Sequence, residues 1–86
     1  MDIPYLRQGQ FAVGKAEFTT GIVLNNDGTF YVSGSDLNNM YEIFDDYIEA
    51  KKFALDKVNN NSNIECWIVD SNGQHLNTYD KNGERK

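Results

Sequence analysis

Ile64-Glu65-Cys66-Trp67-Ile68-Val69-Asp70-Ser71-Asn72-Gly73-Gln74-His75-Leu76-Asn77-Thr78-Tyr79 sets two β-rich runs on either side of an Asn-Gly pair. Both central residues of a tight type I′ turn need positive φ, which Asn and Gly tolerate, so the stretch predicts a hairpin of residues 64–69 and 74–79. A second such pair, Asp27-Gly28, lies between Gly21-Ile22-Val23-Leu24 and Thr29-Phe30-Tyr31-Val32 and predicts another hairpin in the N-terminal half.

Working back from residue 64, the next signal is a helix. Asp46-Tyr47-Ile48-Glu49 has the spacing of a capping box, and Ala50, Ala54 and Val58 then recur every four residues, with Tyr47, Phe53 and Leu55 widening the stripe. Lys51, Lys52, Asp56 and Lys57 fall on the polar side, and Asn59-Asn60-Asn61 is the expected stop, where side chains compete with the backbone and tolerate left-handed geometry. Ahead of the cap, residues 41–44 fit either a backward extension of the helix or a third short strand. The new cap at Asp46 favours the strand.

Strand, strand, short strand, helix, strand, strand is the pattern of an α+β domain. The expected architecture is two-layer, with one antiparallel sheet of about four to five strands packed on one helix. Gln10-Phe11-Ala12-Val13 offers an added edge strand, and residues 1–9 and 81–86 are expected to be loosely ordered. Eighty-six residues, 40% of them hydrophobic, suffice for one core and a single domain spanning residues 1–86.

Three motif matches resolve into bland readings. Gly9 to Ala16 follows the phosphate-loop pattern G-x-x-x-x-G-K until Ala16 replaces the hydroxyl that would hold magnesium, and β-type sequence, not a helix, follows it. Asp70-Ser71-Asn72-Gly73 and Asp80-Lys81-Asn82-Gly83 open like calcium loops. The twelfth position of the first is Lys81 instead of a bidentate Glu, and the second runs past the last residue, so both read as Asx-Gly turns. His75 and Cys66 are the only residues of their kinds, and Cys66 sits among strand-core neighbours as a buried thiol. No cofactor, metal or catalytic residue is therefore expected.

The charge is segregated along the chain. Residues 16–50 hold seven carboxylates, Glu17, Asp27, Asp36, Glu42, Asp45, Asp46 and Glu49, and no Lys or Arg; the segments before and after each carry +1, and the chain −5. An acidic segment repels nucleic acid and anionic membrane, which demand basic groups, and attracts a basic surface. No run is apolar over the length of a signal peptide or a membrane span.

The expectation is thus a small, cytoplasmic, non-catalytic binding protein, of immunity or inhibitor type, that docks a basic protein through residues 16–50. Asp36, Glu42, Asp45, Asp46, Glu49 and Tyr41 are the candidate contact residues. The alternative is a self-associating accessory or structural protein, a homodimer formed by strand pairing at an open edge, residues 74–79. An unrecognised hydrolase using Asp45, Asp46 or Glu49 ranks last, because so short a chain offers little room for a deep pocket.

Overall fold

Phe11–Glu17 forms β1, the strand on which the sheet is built, in a computed structural model that describes residues 3–85 and leaves Met1, Asp2 and Lys86 outside. β2 (Val23–Leu24), β3 (Glu42–Phe44), the helix α1 (Tyr47–Asn60), β4 (Ile64–Asp70), β5 (His75–Asp80) and β6 (Gly83–Arg85) follow, with a short 3-10 turn at Leu37–Asn39. The sheet is antiparallel in the order β2-β1-β4-β5-β6, with β3 also on β1. β4 pairs with β1 along its whole length, from Phe11↔Asp70 to Glu17↔Ile64. β3 (Phe11↔Phe44) and β2 (Lys15↔Leu24) therefore share the opposite edge of β1, end to end. One antiparallel sheet and one helix make a single α+β domain, as the sequence predicts.

The hairpin β4–β5 forms around Asn72-Gly73, but not through a type I′ turn: Gly73 alone has positive φ, 79°, and its amide donates to Asp70 O at 3.0 Å, so the turn spans Asp70 to Gly73. Asp70 holds the turn, its Oδ1 accepting from the amides of Asn72 and Gln74 at 2.9 Å each. The helix also forms where its stripe predicts, burying Ala50, Ala54 and Val58. Asp46 caps it by accepting from the Ile48 amide at 3.3 Å, while no described bond from Glu49 closes the capping box. At the other end Asn61 is extended, φ −150°, so the helix stops without a left-handed residue.

Three expectations are corrected. Residues 10–13 are not an edge strand: β1 is central, because residues 12–16 are buried on both faces of the sheet. Lys15 belongs to that buried run. Its side chain is buried among apolar groups, with Nζ bonded to Asn26 Oδ1 at 2.7 Å and 5.7 Å from the Phe53 ring centroid. The first hairpin shrinks to two strand residues, 23–24, and a lone bridge, Leu24↔Phe30. Its Asp27-Gly28 turn does form, with Thr29 donating from both amide and hydroxyl to Asp27 Oδ1 at 3.0 and 2.6 Å. The Tyr31 amide still donates to Val23 O at 2.9 Å; beyond it the chain leaves the sheet edge, and the Tyr31 side chain packs against a second core. Finally, residues 83–85 of the tail pair with Thr78 to Asp80 as β6. A relay from Tyr47 Oη to Asn77 Oδ1 (3.0 Å) and from Asn77 Nδ2 to Glu84 Oε2 (2.8 Å) ties that strand to the helix.

Side chains alternate across a strand, so β1 and β4 feed two cores. On the helix side Val13, Cys66, Ile68 and Tyr79 pack on Ala50, Ala54 and Val58. On the other side Ala12 and Val69 are covered by Leu6, Met40 and Tyr41 from irregular segments. That cover is partial, and it ends near Trp67.

Candidate interaction surface

The acidic residues are placed by local structure before anything else. Asp36 caps the 3-10 turn, accepting from the Asn38 amide at 2.9 Å. Asp45 accepts from Gln10 Nε2 at 2.8 Å, which pins the β3–α1 corner to the segment before β1. Asp46 is the helix cap, Glu49 stands exposed in the first turn, and Glu42 is half-buried on β3. Negative charge in a first turn complements the partial positive charge of the helix N-terminus.

The seven carboxylates do not make one face. Asp45, Asp46 and Glu49 gather beyond the Phe11 end of β1, where Phe44 pairs, whereas Glu17 lies at the other end of the strand with Thr20 Oγ1 on its Oε1 at 2.7 Å. At 3.3 Å per residue those ends are roughly 20 Å apart. Tyr41 leaves the candidate set altogether. It is 3% exposed, its ring meets Trp67 edge-on at 6.2 Å, and its hydroxyl accepts the Trp67 indole N–H at 3.3 Å.

Apolar groups take the place of Tyr41. Among the described residues the exposed large hydrophobics are Tyr5, Ile22, Phe30, Val32, Ile43 and Ile48, with Phe30 at 56%, Val32 at 67% and Ile48 at 64%. Five of the six fall within residues 16–50, the same segment that has no Lys or Arg. Ile48 was legible in advance, since it stands two residues, or about 200°, from the Ala50 stripe. Phe30 and Val32 were not, because residues 29–32 read as a strand whose alternate side chains would be covered.

The other singled-out residues settle into structure. Gly9 to Ala16 leads into and along β1, so its Lys15 faces the core and no helix N-terminus follows. Asp70 and Asp80 hold Asx turns, the latter accepting from the Asn82 amide at 2.8 Å, and no group of three or more potential metal ligands occurs among the described residues. His75 Nε2 lies 2.8 Å from Thr78 Oγ1. β6 covers β5 over residues 78–80, so the edge at 74–79 expected to be open for strand pairing is open only in its first half.

Cys66 is fully buried, and desolvation pushes its thiol up to about 11 against the opposing pull of Lys15 and Lys57. The folded state thus favours the neutral thiol. Because the folded pKa lies above the unfolded value near 9.0, this contribution is complete below pH 9 and is lost as pH rises through 11. Burial lowers the Lys15 pKa, which acts in the opposite sense by adding stability as pH rises toward 10.5. Comparing wild type with Cys66→Val isolates the thiol: their difference in unfolding free energy should shift by about 2–3 kcal/mol, against wild type, between pH 8 and 11.5 in urea titrations. A constant difference across that range rejects the assignment.

Comparison with protein-family models, with curated proteins and with solved structures finds no match in any of the three. No helix of the described residues is long and apolar enough to cross a membrane.

Proposed function

We propose that the protein is a small non-catalytic binding protein, of the immunity or inhibitor type, that docks a basic protein through the segment of residues 16–50. The observation that carries this reading is the coincidence on one segment of seven carboxylates, no base and five exposed large apolar side chains. Carboxylates steer a basic partner and speed its encounter, while desolvated aromatic and aliphatic anchors hold it. Phe30 and Val32 on the loop after β2, with Ile48 at the head of α1, are the anchors; Asp36, Asp45 and Glu49 are the steering charges. A cytoplasmic setting suits Cys66, a single reduced thiol in the core.

The two roles separate experimentally. With the protein immobilised and a lysate of its source organism passed over it at low salt, one basic protein should be retained and released by a salt gradient. Phe30→Ser with Val32→Ser should raise its dissociation rate about tenfold or more, and Asp36→Asn with Glu49→Lys should flatten the salt dependence of its association rate. Asn keeps a cap at position 36. Retention that neither variant alters would sink the reading, as would retention of nothing but further copies of the chain.

A further inference from the structure

Asn72-Gly73 and Asn82-Gly83 are the two Asn-Gly pairs of the chain, each with an Asp two residues ahead of its Asn. Such a pair is chemically labile, because glycine has no side chain to shield its backbone nitrogen from the neighbouring carboxamide carbon. We propose that Asn82 is a site of spontaneous deamidation, that the fold protects Asn72 from the same reaction, and that the change at Asn82 unpairs β6. None of this draws on the docking surface of residues 16–50.

The reaction needs water alone. The Gly83 nitrogen bonds to Asn82 Cγ, the Cγ–Nδ2 bond breaks, and Nδ2 leaves as ammonia, carrying in net the proton that the Gly83 nitrogen gave up. Water then opens the resulting succinimide at either carbonyl. One opening leaves aspartate; the other leaves isoaspartate, in which the main chain runs through the former side chain and is one carbon longer.

Both carboxamides are accessible: Asn72 and Asn82 are exposed, and no hydrogen bond among the described residues holds either side chain. What differs is the hold on the glycine amide. Gly73 N–H donates to Asp70 O at 3.0 Å, Asp70 N–H donates to Gln74 O at 3.0 Å, and Asp70 Oδ1 accepts from the Asn72 and Gln74 amides at 2.9 Å each. An N–H that donates gives up its proton less readily, and its nitrogen is not free to turn toward Cγ. Freeing Gly73 means opening the β4–β5 hairpin, and β4 is paired along its whole length with β1 as well. Gly83 instead heads β6, a strand of three residues that is outermost in the sheet order, with Lys81 to Glu84 exposed. Local opening costs least where backbone bonds are exposed and buried apolar contacts are few.

The pair Asp80↔Gly83 closes the β5–β6 hairpin across Lys81 and Asn82, so an added backbone carbon at position 82 breaks its register. The Thr78 backbone, paired with Arg85 in the intact sheet, then faces solvent, and β5 becomes an edge open to strand pairing.

The test ages the wild-type protein in mildly alkaline buffer at body temperature, with a second sample in guanidinium chloride, and maps both by proteolysis and mass spectrometry with aspartate and isoaspartate peptides separated. Unfolded, both asparagines should convert at similar rates, since glycine follows each. Folded, Asn82 should convert about tenfold or more faster than Asn72. Amide exchange at Thr78 should be faster in the isoaspartate form purified from the folded sample than in fresh protein. Asn82→Ser should lose both changes. Equal rates at the two sites in the folded chain, a faster Asn72, or no conversion at Asn82 overturns the site. Unchanged exchange at Thr78, or exchange that quickens with age in Asn82→Ser too, overturns the unpairing of β6.

Discussion

Ala54→Asp is expected to remove most of the folded population at 25 °C. Ala54 is fully buried in the middle of α1, where the helix meets Val13, Cys66, Ile68 and Tyr79. The absence of a longer side chain lets the helix lie against the sheet, where a carboxylate would be cut off from water. Lys15, the buried cation of this face, already donates to Asn26. An unpaired buried charge costs about 4 kcal/mol or more once relaxation and protonation are allowed for. A domain of this length has only about 4–13 kcal/mol in hand. The control is Ile48→Asp, which places the same residue in the same helix at an exposed position and should change stability by less than about 1 kcal/mol. If circular dichroism in urea gives the two variants the same midpoint, helix propensity and not burial governs, and the packing argument fails.

That contrast explains which parts of the fold were legible. Where a local signal and a tertiary requirement agree, as for the Ala50-Ala54-Val58 stripe or the Asn72-Gly73 turn, the element forms where the residues predict. Where a residue's role is fixed by distant chain, local reading fails. Residues 10–13 read as an added edge, yet the strand runs on through Lys15, whose ammonium is satisfied by Asn26, eleven residues on, which no periodicity reveals. Residues 29–32 have strand composition, but they follow β2 only as far as Tyr31, whose amide donates to Val23 O while its ring packs beside Leu37 and Met40 in the second core. The tail becomes β6 because the Tyr47–Asn77–Glu84 relay reaches it across three elements.

The candidate surface was legible to the same degree. Charge is additive along a sequence, so the acidic bias of residues 16–50 is plain from composition; its division between two ends of β1 depends on topology. Tyr41 shows the limit most clearly. Placed between acids in sequence, it reads as an anchor, whereas its ring is needed under the irregular cover beside Trp67. Exposed Phe30 and Val32 became visible only when the first hairpin proved to be short.

Gly14→Val is expected to destabilise by about 3 kcal/mol, and the sign is the informative part. Valine is the better strand former, and at an ordinary central-strand position the exchange should gain up to about 1 kcal/mol. Here the new Cβ meets the Trp67 ring, so either the indole swings off the strand or the backbone of β1 yields, and both break the Trp67–Tyr41 contact. The same substitution in a Trp67→Leu background removes the obstruction, and valine should then be neutral or stabilising. The double-mutant cycle over Gly14 and Trp67 should therefore show a coupling of about 2–3 kcal/mol, read from urea midpoints at constant slope. In the single variant, tryptophan emission should move to longer wavelength as the ring enters water. A coupling near zero would mean that Trp67 does not rest on Gly14.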